Sequence, residues 1–193
     1  GGGSGIGRAV SLDFAAAGAA VVVSGRTAGT LDETVDLITR AGGKAFAVVG
    51  DVGRSKDVRA LVRAAIDAHG RVDILINNAG VSGDGKLLCE VDESDFDAIF
   101  AVNARGTFLG MKYAIPEMLH RGGGCIVNVS SKEGLVGSSG KVAYIGSKHA
   151  VVGMTKAAAV EYAGQGIRVN AVCPAAHDSA MVRKCASSFM SEA

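Results

Sequence analysis

The chain of 193 residues carries 20 basic and 19 acidic side chains for a net charge of +1, and 48% of it is hydrophobic. That is enough apolar material for one sizeable core in a single domain over residues 1–193, and the balanced charge offers no field to gather nucleic acid or a membrane surface. No run approaches the roughly 18 consecutive apolar residues of a bilayer span, and Cys89, Cys125, Cys173 and Cys185 lie too far apart for a Cys-x-x-Cys zinc or redox pair, so reduced thiols in a cytoplasmic protein without a metal are expected.

The 28 glycines and 2 prolines point to many tight turns between regular elements. A glycine run at residues 1–7 opens a helical segment over 4–17 that Gly18 stops. A strand follows at 20–24, then a helix at 27–41 stopped by Gly42, a strand at 44–49, and a helix at 55–69 stopped by Gly70. The second half reads as a strand at 72–77, a long helix at 92–120 with Phe96, Ile99, Phe100 and Val102 on its apolar face, a strand at 124–130, a helix at 142–162 and a strand at 167–173. Short strands rich in valine and isoleucine, alternating with helices, predict a doubly wound parallel sheet with helices on both faces. A glycine-rich turn normally follows a strand. A further apolar strand is therefore expected before Gly1, at the centre of the sheet, and without it the chain is expected to aggregate or to bind dinucleotide poorly.

Gly1, Gly5 and Gly7 precede an apolar helix, as in a turn that brings backbone amides and a helix N-terminus to a pyrophosphate; the same run taken alone also suits a flexible linker. After the strand at 20–24 comes Arg26, where a site for NAD usually has a carboxylate. Its planar cation suits the 2′-phosphate of NADP, the alternative being a solvated arginine. Asp51-Val52 and Asn77-Asn78-Ala79-Gly80 sit at the carboxyl ends of strands, where open sheets of this kind bind ligands. Tyr144 and Lys148 share one helix face, and Ser131 lies just past a strand.

The ordered series Gly1, Gly5, Gly7, Asp51, Asn77-Asn78-Ala79-Gly80, Asn103, Ser131, Tyr144-Ile145-Gly146-Ser147-Lys148, and Arg168-Val169-Asn170 before Pro174 resembles the short-chain dehydrogenase/reductase family over essentially the whole chain. The resemblance implies a Rossmann-like three-layer sandwich and an oxidoreductase that moves a hydride between NADP or NAD and a secondary alcohol or ketone. Catalytic places fall on Asn103, Ser131, Tyr144 and Lys148. Cofactor contacts fall on Gly1, Ser4, Gly5, Ile6, Gly7, Arg26, Asp51, Val52, Asn78, Ala79, Gly80, Tyr144, Lys148, Pro174 and Ser179. It also implies a homodimer or homotetramer through the helices at 92–120 and 142–162.

Two features depart from the family's pattern. Ala175 stands where glycine is usual, with Ser179 keeping the hydroxyl of the usual threonine, and the chain stops soon afterwards. Lys132 and Glu133, directly after Ser131, read as a solvated loop pair rather than a substrate-facing one, and His177-Asp178 as an ordinary loop pair. A dinucleotide-binding fragment without turnover is the alternative reading; a nucleotide-sugar epimerase or dehydratase shares the tyrosine and lysine but not the glycine spacing.

Overall fold

The computed structural model describes residues 1–83 and 85–175. The elements run α1 (Gly5–Ala16), β1 (Ala20–Gly25), α2 (Ala28–Arg40), β2 (Lys44–Val49), α3 (Ser55–His69), β3 (Ile74–Asn77), α4 (Glu93–Phe100), α5 (Gly106–His120), β4 (Gly124–Val129), α6 (Val142–Tyr162) and β5 (Ile167–Val172). The glycine stops of the first three helices are real: Gly18, Gly42 and Gly70 have φ of +90°, +82° and +71°, a region that an L side chain adopts only under strain.

All strand pairs are parallel. Ala20 lies opposite Lys44, Ile74 opposite Cys125, and Gly124 opposite Ile167. Instead of one continuous sheet, the described residues form two, β1–β2 and β3–β4–β5. The facing strands β1 and β3 do not pair with each other. Between them lies an open slot of about 560 Å³ whose lining includes Val22, Ile76, Val10, Phe14, Val62 and Ala114. This is where a further central strand is expected from the sequence.

Each sheet has its own core. Val23 on β1 packs with Ala15 of α1 and with Leu31 and Ile38 of α2. A larger cluster joins Met111, Ala114, Ile115 and Met118 of α5 to Ile126 of β4, Ile167 and Val169 of β5, and Ala158 of α6.

The helix expected over 92–120 is broken. A π-helical turn, Ala101–Arg105, separates α4 from α5. Two contacts explain it. Asn103, fully buried, bonds both backbone groups of Val81, and Gly106 approaches Val52 so closely that a Cβ there would stand 2.9 Å from its Cγ2. The extra residue of a π turn brings both inward at once, as such turns often do at functional sites. Among the described residues, no helix is long and apolar enough to cross a membrane.

Candidate active site

The glycine run forms a tight turn rather than a linker. The Gly2 amide donates to the Ser24 carbonyl at 2.8 Å, and the Gly1 carbonyl accepts from Asn78 Nδ2 at 2.9 Å. A Cβ on Gly1 would stand 2.8 Å from the Ala79 Cα, one on Gly7 would collide with the Gly1 carbonyl, and Gly5 has φ +50°. Each glycine of the spacing thus has a steric reason. Ser4 makes no side-chain cap, so the first amides of α1 stay available, with Ile6 half-buried behind them. Arg26 is exposed just past β1.

Around the turn, Asp51 accepts from the Gly53 amide at 2.9 Å, and its own amide donates to Asp57 at 3.0 Å. Val52 is half-buried under Gly106. At the end of β3, Asn77 Nδ2 donates to Asn128 Oδ1 at 2.8 Å, and Asn128 Nδ2 donates to Thr155 Oγ1 at 2.9 Å. This buried chain ties β3, β4 and α6 together beneath Asn78, Ala79 and Gly80.

The second group of residues sits where α6 crosses the end of β4. Lys148 is only 4% exposed; its Nζ donates to the Val129 carbonyl at 2.9 Å and lies 5.8 Å from the centre of the Tyr144 ring. Burial pushes the Lys148 ammonium down to about 8, against an opposing pull from Cys173. Ser130 Oγ donates to the Lys148 carbonyl at 2.9 Å, and Gly134 fits between those two residues, where a Cβ would stand 2.9 Å from the same carbonyl oxygen. The residue before Ser131 and the turn after it are thereby held against α6.

Gly80 completes the group: a Cβ there would meet Lys148 Nζ at 3.3 Å and Asn103 Oδ1 at 3.4 Å. Asn103, Lys148 and Gly80 therefore converge beside the half-buried Tyr144, with Ser131 buried just past β4. The Asn103 amide group is occupied, by Val81 and by a 2.9 Å bond to Ser147 Oγ, which in turn donates to the Tyr144 carbonyl at 2.7 Å. The Pro174 carbonyl accepts from the Lys132 amide at 2.9 Å, closing the loop after β5 onto this corner. Ser179, His177, Asp178 and Cys185 lie outside the described residues.

A family model for the short chain dehydrogenases matches residues 1–188. The chain belongs to that family. It is 46% identical over 174 residues to an uncharacterised oxidoreductase of Thermotoga maritima, covering 90% of this chain and 68% of that protein. It is 41% identical over 183 residues to 2-(R)-hydroxypropyl-CoM dehydrogenase of Xanthobacter autotrophicus, covering 93% and 73%. The crystal structure of levodione reductase matches it with a TM-score of 0.96 at 33% identity, over 99% of this chain and 75% of that one. The fold is thus the Rossmann-like α/β fold of the short-chain dehydrogenases, an oxidoreductase family whose members generally use NAD or NADP.

Several residues of this short-chain dehydrogenase's site escape a reading of motifs. Arg8 donates to the Gly3 carbonyl at 2.6 Å and to Glu33 at 2.7 Å, and Thr34, fully buried, donates to the Gly2 carbonyl at 3.2 Å. Together they hold the glycine turn's shape. The signal for Thr34 was a polar residue within the apolar stripe of Leu31 and Ile38. Glu133 corrects the solvated-pair expectation: Lys132 is exposed, but Glu133 is buried and bonded to Ser131 at 2.5 Å.

Proposed function

We propose that this short-chain dehydrogenase transfers a hydride between NADP, or NAD, and a secondary alcohol or ketone, with Tyr144 as its acid and base. The observation that carries the reading is the buried Lys148 ammonium beside the Tyr144 ring. A free tyrosine, with a pKa of about 10, is a poor base near neutrality, and a cation at this range favours the phenolate.

The residues present fit a dinucleotide. Uncapped amides at the start of α1 suit a pyrophosphate, the exposed Arg26 guanidinium suits a 2′-phosphate, and bare Gly80 leaves room beside Lys148 Nζ. Gly1, Ser4, Gly5, Ile6 and Gly7 would hold the phosphates, Asp51 and Val52 the adenine end, and Asn78, Ala79, Gly80, Pro174 and Ser179 the nicotinamide end. When bound, the nicotinamide supplies or takes the hydride. In the reducing direction Tyr144 gives its phenolic proton to the substrate oxygen, and in the oxidising direction the phenolate takes it from the alcohol. Lys148 steadies the phenolate, Ser131 orients the substrate oxygen, and Asn103 holds the segment that carries Val81 against α6. We place the protein in the cytoplasm, and as a homodimer or homotetramer through α5 and α6, where Phe108 and Val160 are exposed.

The deciding experiment follows NADPH and NADH absorbance with a panel of small ketones and alcohols, beside a cofactor fluorescence titration. Oxidation of NADPH by at least one ketone is expected. Cofactor binding with no turnover across the panel would favour the second reading, a dinucleotide-binding fragment.

A further inference from the structure

A loop that reads a heterocyclic base needs a few open polar groups and a frame that fixes their spacing before the base arrives. In the loop after β2 most polar groups are committed. The Asp51 amide donates to Asp57 at 3.0 Å, the Asp51 carbonyl accepts from the Arg54 amide at 2.9 Å, and the Gly53 amide donates to Asp51 Oδ1 at 2.9 Å. Among the described residues, the Val52 amide and Asp51 Oδ2 stay open, a donor beside an acceptor. The frame comes from the π turn. Exposed Arg105 donates from Nη1 to the Gly53 carbonyl, and the next residue, Gly106, packs so close that a Cβ there would lie 2.9 Å from Val52 Cγ2 and 3.4 Å from the Val52 carbonyl oxygen. A Cβ on Gly53 itself would crowd Asp51 Oδ1, at 3.3 Å, and the Ala101 carbonyl, at 3.4 Å. Arg105 and Gly106 thus grip Gly53 and Val52.

We propose that Arg105 is a positioning residue for base selectivity: by holding the Gly53 carbonyl it keeps the Asp51 carboxylate and the Val52 amide at the spacing that accepts an adenine and turns away a hypoxanthine. The inference rests on the dinucleotide reading, which puts Asp51 and Val52 at the adenine end of the cofactor. Adenine presents its 6-amino donor next to its ring-nitrogen acceptor, a match for Asp51 Oδ2 and the Val52 amide. Hypoxanthine presents an oxygen next to a ring N–H, so acceptor faces acceptor and donor faces donor, and a site built around hydrogen bonds rejects such an analogue. The same residue whose carbonyl Arg105 holds bonds the Asp51 carboxylate through its amide. Released from Arg105, Gly53 has no side chain to anchor it and the widest backbone freedom of any residue, and the carboxylate turns with it.

The test measures dissociation constants of NADPH and of its hypoxanthine analogue, deamino-NADPH, on the intact protein by reduced-nicotinamide fluorescence, with NADH and deamino-NADH as the pair if NADH binds more tightly. Both members of a pair carry the same phosphates and the same nicotinamide. Their ratio therefore cancels the general pull of the Arg105 charge and reads the base alone. The wild type is expected to prefer the adenine cofactor by about tenfold or more, and Arg105→Met, which keeps most of the stem and loses the donor, should bring the ratio to about 2 or less through weaker binding of the adenine cofactor. Arg105→Lys keeps a donor for the Gly53 carbonyl and should retain a ratio within about threefold of the wild type. A ratio unchanged in Arg105→Met, both cofactors weakened alike, or a lysine variant no better than the methionine one overturns the proposal. Equal affinity of the wild type for the two cofactors also overturns it and leaves the dehydrogenase reading standing, whereas a wild type that binds neither removes that reading and the role of Arg105 with it.

Discussion

The β1–β2 sheet with α1 and α2, and the β3–β4–β5 sheet with α5 and α6, solve different problems. In the first, the groups suited to a dinucleotide are backbone amides and exposed side chains such as Ser4 and Arg26, while buried Thr34 and half-buried Arg8 link the turn carbonyls to α2. In the second, Asn103, Ser131 and Lys148 are themselves buried, Asn103 bonded to Val81 and to Ser147 Oγ, Ser131 to Glu133, and Lys148 Nζ to the Val129 carbonyl. Phosphate recognition tolerates water, because many amides share a spread charge. Proton transfer requires one cation at one place in a low dielectric.

The slot between the halves sets the largest expected effect. The facing edges of β1 and β3 are unpaired with each other across a mainly apolar gap. An apolar strand of about five residues fused ahead of Gly1 should pair with both edges at about 1 kcal/mol per hydrogen bond, raising Tm by roughly 10–20 °C in a domain of this size. The same extension with alternate residues changed to lysine should not. Equal Tm values with and without the apolar strand would mean that the two halves are stable apart.

Next come variants that should separate the halves. Tyr144→Phe is expected to lower ketone reduction by about a thousandfold, with NADPH affinity held within about threefold, since it removes a proton donor alone. Near-normal turnover would take Tyr144 out of its role. Arg26→Asp is expected to do the converse, shifting the ratio of kcat/KM for NADPH over NADH by about 10- to 100-fold while the saturated rate changes little. An unchanged ratio would mean that the guanidinium serves only solvent.

The strands were legible in the sequence because parallel strands covered on both faces are short, mostly uncharged runs rich in valine and isoleucine, and β2 matches its expected range of 44–49 in full. Ends drifted by a residue or two: the strand expected at 72–77 pairs only from Ile74. The break in 92–120 was not legible. Its apolar pattern runs on through Phe100 and Val102, and the π turn answers to distant partners, Val81 and Val52, that no local period reveals. Glu133 hid for the opposite reason. Two adjacent charges look solvated, but the Lys132–Gly134 turn, with Ser131 capping the Glu133 amide, folds the second charge back inside.

The smallest expected effect concerns the burial of Lys148 and has a definite sign. Its pKa falls from an ordinary 10.5 to about 8 in the folded chain, chiefly through burial. A lysine lowered on folding binds fewer protons when folded than when unfolded between those two values. Stability from this group therefore rises with pH from about 8 to about 10.5, and below about 8 the full penalty of a buried ammonium is present. Lys148→Met keeps the length of the stem and removes the charge, at the loss of one bond to the Val129 carbonyl. The variant should be inactive yet more stable than the wild type at pH 7 by about 1–3 kcal/mol, with the gap closing as pH approaches about 10. Urea unfolding of both proteins across that range reads the difference directly. A gap that stays constant with pH would show that the methionine gains by packing alone, and a variant less stable at every pH would show that the Val129 bond outweighs the buried charge. Either result would weaken the contrast between the halves, because a lysine held there at no expense to the fold is not evidence of a site prepared for proton transfer.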